Sequence, residues 1–201
     1  MAKDGQLGHG DDCTDKHRMT PIDSMHFSGN TVLAIAAGRS HCIALGSGND
    51  RSHSLWTWGC NSHGQLGHSD LVSRSVLTRM KNAPRSASVY EEADSDSSDS
   101  SYYSDDSAQT DVVLPDDRQW CLGAVSGIDA GAMTTAVLFV DGALAVCGDG
   151  RGSALGLGNL RNKSRLTRVG RDGCFGYAGV RAMAVGFDHM IAVTCDNRVH
   201  S

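Results

Sequence analysis

The sequence predicts an all-β chain assembled from repeated units, and three observations predict it. Apolar runs of four to seven residues lie between glycine-rich turns, and none is long enough to read as a helix. One tetrapeptide recurs: Gly5-Gln6-Leu7-Gly8 returns unchanged as Gly64-Gln65-Leu66-Gly67, the self-similarity that marks a repeat architecture. Glycine is abundant and proline scarce, 24 against 3 in 201 residues, so about 12% of the chain is glycine against a usual ~7%. Many tight turns between short strands follow from that balance.

Taken in order, the chain opens with Met1-Ala2-Lys3-Asp4-Gly5, which has no apolar core of a secretory leader. The longest apolar run, Ala136 to Val140 resuming at Ala143 to Cys147, is broken by Asp141 and Gly142, far short of the roughly 20 residues a bilayer helix needs. A chain of the cytoplasm or nucleus, without membrane association, is expected. The cysteines, 7 in number and without a C-x-x-C pair, fit a reducing compartment in which buried thiols pack as small hydrophobes.

A second signature defines the units: an apolar stretch, a Gly, two variable residues and a polar residue that opens another apolar stretch. It runs Val32 to Gly38 with His41, Val125 to Gly131 with Thr134, and Val180 to Gly186 with His189. The tetrapeptide has a degenerate third copy at Ser153-Ala154-Leu155-Gly156. Gly131 and Gly186 are 55 residues apart and Gly8 and Gly67 are 59 apart, but Gly38 to Gly131 is 93 and Gly67 to Gly156 is 89. Both long intervals span Tyr90 to Asp117, where 10 acidic residues stand with no Lys or Arg. Without those 28 residues the intervals become 65 and 61. A single repeat interrupted once by an acidic, Ser/Asp-rich insertion accounts for all four spacings. The insertion has too little apolar surface to offset ordering entropy, and is expected to be disordered.

In the best unit, strands are expected at Val32 to Ala37, His41 to Leu45, Leu55 to Trp58 and Val76 to Met80. Four short strands per unit make a propeller blade, which cannot bury both faces alone and must stack on neighbours. The prediction is therefore an incomplete β-propeller arc of four-stranded antiparallel blades with a disordered acidic insertion.

The order Gly38-x-x-His41, then Trp58-Gly59-x-Asn61, then Gly64-Gln65-Leu66-Gly67 resembles the repeat of the regulator of chromosome condensation family. The resemblance implies that Gly5, Gln6, Leu7, Gly8, Gly38, His41, Trp58, Gly59, Asn61, Gly64, Gln65, Leu66, Gly67, Gly131, Gly148, Gly156, Gly186 and His189 are structural signature positions. It implies blades closed into a ring, usually of about seven. Its third copy departs from the pattern, with Thr134 for the His, Cys147-Gly148 for Trp-Gly and Ser153-Ala154 for Gly-Gln. Aligned on the repeat, residues 1–29 are the outer part of a first blade and 30–89 a complete blade. The insertion is 90–117, a divergent complete blade 118–179, and the inner strands of a truncated blade 180–201. Such an arc implies a fragment, a truncated product, or a chain that completes its ring with another copy, and its incomplete blades imply self-association.

Several polar positions carry residue types able to do chemistry. His41 and His189 follow tight glycine turns at strand starts, where an imidazole most simply hydrogen-bonds backbone between strands, and no nucleophile and carboxylate recur with them. Cys60, His63 and His68 carry metal-compatible side chains, but four ligands are usual for zinc and no second pair follows, so they read as turn residues. Gly148-Asp149-Gly150-Arg151-Gly152-Ser153 follows a strand as a dinucleotide loop does, but opens no helix and aligns with the repeat's corner. Asn162-Lys163-Ser164 is a glycosylation sequon by pattern only. No catalytic residue, cofactor or metal is expected. Arg161, Lys163, Arg165, Arg168 and Arg171 form a basic run able to meet phosphates of nucleic acid or chromatin, without aromatic residues for base stacking. Ser88, Tyr102 and Tyr103 each have an acid three residues on and are candidate phosphorylation sites. Two functions follow: a non-catalytic scaffold for protein partners, or, by the resemblance, guanine-nucleotide exchange on a Ran-like small GTPase.

Overall fold

Strand ends are set by turns that recur in register. Gly38 donates its N–H to the His41 carbonyl at 2.9 Å, Gly131 to Thr134 at 2.8 Å and Gly186 to His189 at 2.8 Å. Each bond closes the same two-residue reversal between the first and second strands of a sheet. The Gly after the third strand is fixed for a different reason: Gly59 and Gly148 lie at φ 104° and 114°, and a Cβ there would overlap the carbonyl oxygens of Ser40 and Met133. Only glycine adopts that backbone without strain. The next residue then reaches back, Cys60 N–H to the Ser40 carbonyl at 2.7 Å and Asp149 N–H to the Met133 carbonyl at 2.9 Å.

The computed structural model describes residues 3–12, 14–49, 53–80, 125–151, 154–169, 175 and 178–201. They form three antiparallel meanders. The first comprises β1 (Thr31–Ala37), β2 (His41–Ser47), β3 (His53–Gly59) and β4 (Arg74–Arg79), hydrogen-bonded in that order. The second comprises β5 (Val125–Ala130), β6 (Thr134–Phe139), β7 (Leu144–Gly148) and β8 (Lys163–Arg168), again in order. The third holds β9 (Val180–Val185), β10 (Met190–Thr194) and β11 (Val199–His200), with β10 central. The chain is thus nearly all-β, a propeller-like arc of antiparallel blades. Among the described residues, no helix is long and apolar enough to cross a membrane.

The middle strands are the most apolar and the most enclosed, and the core lies between sheets. Ile43 and Leu45 of β2, with Leu55 of β3, pack against Val125, Ala130 and Val137 of the second sheet. Ala136, Leu138, Leu144 and Val146 of the second sheet pack against Val180 and Ala192 of the third. Each fully buried aliphatic side chain contributes roughly 1.5–3 kcal/mol of transfer free energy, so stability resides in the stacking of one sheet on the next.

Two expectations meet the structure differently. Among the described residues of 1–29, expected as the outer part of a first blade, there is no strand. Instead a 3-10 helix, Ser24–Phe27, starts at Asp23, whose side chain accepts the Met25 N–H at 2.9 Å. Ile22 and Phe27 dock this segment on Trp56, Trp58 and Leu77, with the Phe27 ring edge-on to Trp56 at 5.4 Å. The physical reason is composition: Asp11, Asp12, Asp15, Lys16, His17, Arg18 and Pro21 offer neither alternation nor β propensity. The acidic insertion 90–117, with Ser88, Tyr102 and Tyr103, lies outside the described residues.

Candidate functional site

The signature residues converge on the seams between sheets. At the inner edge, a Cβ on Gly38 would overlap the Gly131 carbonyl oxygen, and a Cβ on Gly131 would overlap that of Gly186. The absent side chains let the backbones approach closely enough to bond. Arg39 N–H donates to the Ala132 carbonyl at 3.3 Å, and Ala132 N–H to the Phe187 carbonyl at 3.0 Å. One sheet's turn thereby hands its hydrogen bond to the same position in the next. Asp129 adds a side-chain tie, accepting the Val185 N–H at 2.8 Å.

Deeper in the first seam, His41 is fully enclosed. Its Nε2 lies 2.9 Å from Thr135 Oγ1, and that hydroxyl donates to the Gln65 carbonyl at 2.7 Å. With the hydroxyl proton committed to Gln65, His41 is the donor, so Nε2 carries the proton in the neutral ring. Burial pushes its pKa down to about 4, against an opposing backbone contact with Thr134. The His41 ring thus reaches the neighbouring sheet, bonding the Thr135 side chain beside the backbone of Thr134.

The Gly-Gln-Leu-Gly corner is the second fastener. The Gln65 carbonyl accepts Thr135 Oγ1 and, at 3.5 Å, Cys147 Sγ. One unit earlier, the Gln6 carbonyl accepts Trp58 Nε1 at 3.0 Å and Cys42 Sγ at 3.6 Å. Cys42 and Thr135 occupy one repeat position, Trp58 and Cys147 another. Each corner therefore plugs into the groove between the second and third strands of the following sheet. Beyond it the chain also binds that sheet's outer strand: Gly10 N–H donates to the Ser75 carbonyl at 3.0 Å, Ser69 N–H to Ser164 at 2.8 Å. Gly5 abuts Ser75 and Gly64 abuts Ser164, each close enough to exclude a side chain. The corner from Gly64 is braced from within. Asn61 Oδ1 accepts the Leu66 N–H at 2.9 Å while its Nδ2 donates to the Asp70 carbonyl at 2.8 Å. Gln65 Oε1 accepts the His63 N–H at 2.9 Å. Arg74 grips the Asp70 carboxylate with two bonds, and the first of these effects in size, Arg74 itself, holds that carboxyl below the usual range. Leu7 and Gly8 lie in the first corner, where Gly8 meets Leu77 and the Trp58 ring; Gly67 meets Met80 and Cys147. In the third corner Leu155 is enclosed between the second and third sheets, and Gly156 lies against Val169 and Met190.

Residues considered for chemistry are dispersed or committed. Cys60 Sγ is 3.3 Å from Ser62 Oγ, which is 2.8 Å from His63 Nδ1. His63 Nε2 faces Arg151 at 2.7 Å, and Asp149 receives Arg151 Nε and Nη2. A guanidinium only donates, so His63 Nε2 accepts and its proton sits on Nδ1, aimed at Ser62. That polarity is opposite to the one a base needs to activate a serine. Burial raises the Asp149 pKa, but the bonds and charge of Arg151 outweigh it and leave the carboxyl lowered. His68 turns away to Thr57 Oγ1 at 2.9 Å, so Cys60, His63 and His68 do not converge. Burial pushes the Cys42 and Cys147 thiols up to about 11 and 12, the latter against a bond from Thr135. Of the basic run, Lys163 is buried and Arg165 Nε donates to Ser69 Oγ at 2.7 Å; Arg171 lies outside the described residues. Sequence reasoning passed over Thr135, Cys42, Ser75 and Ser164. Arg74-Ser-Val-Leu-Thr-Arg79 against Lys163-Ser-Arg-Leu-Thr-Arg168 was the available signal for the last two.

Sheets fastened edge to edge by a repeated turn and corner define a β-propeller of repeat type. Residues 1–45 and 52–90 match the Regulator of chromosome condensation (RCC1) repeat, and residues 32–65 match a second form of it. Residues 1–90 thus carry the RCC1 repeat. The chain is 40% identical to rat (Rattus norvegicus) alsin over 68 residues, 34% of this chain and 4% of alsin. It is 25% identical over 217 residues to the ultraviolet-B receptor UVR8 of Arabidopsis thaliana, covering 99% of this chain and 47% of that protein. The crystal structure of Prp20p from Saccharomyces cerevisiae, described with its binding properties to Gsp1p and histones, superposes with a TM-score of 0.58 at 14% identity, over 96% of this chain and 37% of Prp20p. The chain therefore spans less than half the length of these relatives.

Proposed function

We propose that the chain is a non-catalytic scaffold whose turns present side chains to a protein partner, in the cytoplasm or nucleus. One observation carries the reading. Asp70 Oδ1 accepts the Val72 N–H at 2.9 Å, and Asn159 Oδ1 accepts the Arg161 N–H at 3.1 Å. These are the same side-chain-closed turn at the same repeat position, and each lifts a leucine into solvent at its apex. Leu71 is 58% exposed and Leu160 63%, with Val72 beside the first. Exposed apolar side chains at one edge of successive sheets are the kind of surface a protein partner covers. The His41 imidazole, the Cys42 and Cys147 thiols and the Asn61 and Gln65 carboxamides, by contrast, are spent on fastening.

The alternative is nucleotide exchange on a Ran-like small GTPase, favoured by the likeness to Prp20p with its Gsp1p binding; contact with chromatin follows the same likeness. Release of a fluorescent guanine nucleotide from such a GTPase, measured together with binding, separates the two. The scaffold reading expects an unchanged release rate with binding retained. A release rate raised tenfold or more by stoichiometric chain would replace it with exchange.

A further inference from the structure

The outer strands β4 and β8 carry nearly one sequence, Arg74-Ser75-Val76-Leu77-Thr78-Arg79 and Lys163-Ser164-Arg165-Leu166-Thr167-Arg168. Each receives the chain that has just left a corner, Gly10 N–H at the Ser75 carbonyl and Ser69 N–H at the Ser164 carbonyl. At this point the two units part in a coupled way. The residue after the corner lies at φ 68° in Gly10, 68° in Ser69 and 70° in Gly158, so serine holds a left-handed position that glycine holds twice. The strand residue facing it changes as well, from Val76 to Arg165. A Cβ on Gly10 would only touch Val76, whereas Ser69 Oγ accepts Arg165 Nε at 2.7 Å.

A side chain at this φ is strained where glycine is not. The bond it gains is exposed, and a contact of that kind in water returns little. In the unmodified chain the serine therefore costs the turn more than it contributes, which directs attention to what its hydroxyl can become. Ser69 is exposed and Asp70 follows it directly. Its own hydroxyl proton has no acceptor among the described residues, and neither Nη of Arg165 is committed there. The flanking groups are engaged elsewhere: His68 bonds Thr57, and Arg74 grips the Asp70 carboxylate.

We propose that Ser69 is a phosphorylation site and that Arg165 is the receptor for its phosphate. In the transfer, Ser69 Oγ bonds the γ-phosphorus of a nucleoside triphosphate held by a protein kinase. The bond from that phosphorus to the β–γ bridging oxygen breaks, the nucleoside diphosphate leaves, and the hydroxyl proton passes to the kinase's base. The product carries a charge of about −1.5 to −2 and three acceptor oxygens. Arg165 then meets it with Nε and Nη together, a forked, charge-assisted grip in place of one bond to a hydroxyl. Because Ser69 belongs to the corner segment and Arg165 to the second sheet, the modification clamps the outer end of the first seam. The clamp acts on the seam whether or not the Leu71 turn meets a partner.

Two experiments on the 201-residue chain test this. A purified serine kinase directed by an acid directly after its target, with ATP, should place phosphate on Ser69, located by peptide mass mapping and lost in Ser69→Gly. Ser69→Gly should also melt no lower than the wild type, since it relieves strain. Chain made with phosphoserine at position 69 should melt a few degrees higher than the unmodified chain. Its phosphorus resonance should titrate below the usual second phosphate pKa of about 6. Both effects should vanish in Arg165→Met and persist in Arg168→Met, a change of charge on the same strand. Absence of label at Ser69, a Ser69→Gly chain that melts several degrees lower, an ordinary phosphate titration, or effects that survive Arg165→Met would each overturn the proposal.

Discussion

His41 and His189 occupy the same repeat position, close equivalent turns and lie over equivalent glycines, Gly38 and Gly186, yet one is enclosed and the other is in water. The His189 side chain is 68% exposed and faces Asp188 at 3.4 Å, whereas His41 is enclosed and bonded to Thr135. Nothing within the two sheets accounts for the difference. Local sequence sets the turn and the ring's position, and the neighbouring sheet alone converts that ring into a buried fastener. A repeat of this kind is therefore half a site, completed by whatever stacks on it.

The sharpest way to break the comparison is at the glycines beneath the two rings. In Gly38→Ala the new methyl meets the Gly131 backbone, which cannot yield. In Gly186→Ala the three nearest atoms all belong to the His189 ring, which can swing into solvent. Overpacking against backbone in a fixed seam should cost about 3 kcal/mol or more for Gly38→Ala, against about 1 kcal/mol for Gly186→Ala. Urea unfolding of the two variants measures this, and equal losses would mean that the seam is not the constraint.

A smaller effect is expected from the hydroxyl between His41 and Gln65. Thr135→Val leaves a buried N–H and a carbonyl short of a partner, which should cost about 2–3 kcal/mol. Cys42→Val, at the equivalent position one unit earlier, removes only a weak thiol donor and should cost under ~1 kcal/mol. Chemical denaturation of both variants decides whether the polar relay or mere packing matters at this position.

The smallest effect near neutrality, growing with acid, comes from His41. Its pKa falls from 6.5 to about 4 on folding, so between those values the unfolded chain binds a proton that the folded chain refuses. Stability is therefore complete above pH 6.5 and declines as the pH falls toward 4, by on the order of 3 kcal/mol for the full window. Thermal melts from pH 7.5 to 4 should show this decline in the wild type, and His41→Asn should remove that part of the slope.

Much of the fold was legible because it is local. Val32 to Ala37 and His41 to Leu45 announce themselves by apolar content and a closing glycine, and the observed β1 and β2 begin and end within two residues of those limits. The first 29 residues were read by analogy with the repeat: the Gly5 corner follows that analogy, and only the strand beyond it is absent among the described residues. The candidate site was half legible. Spacing marked Gly38, His41 and Gln65 as recurring, but periodicity says that units resemble one another, not which neighbour a residue touches. That His41 reaches across to Thr135, or that Gln6 receives Trp58, depends on the stacking of sheets. Cys42 and Thr135 share no chemistry that a pattern search would align, although both donate to the carbonyl of a corner glutamine.

Amide hydrogen exchange of Arg39 and Ala132 tests the central claim, that the repeated turns and corners bind the sheets into one cooperative body. Both amides donate across a seam to the next sheet, and nothing within their own turns would protect them. If the seams carry the fold, both should exchange only through global opening, at rates matching core amides such as Ile43 and Val137. Exchange of either at the rate of an exposed loop amide, with the β2 and β6 cores still protected, would contradict the account.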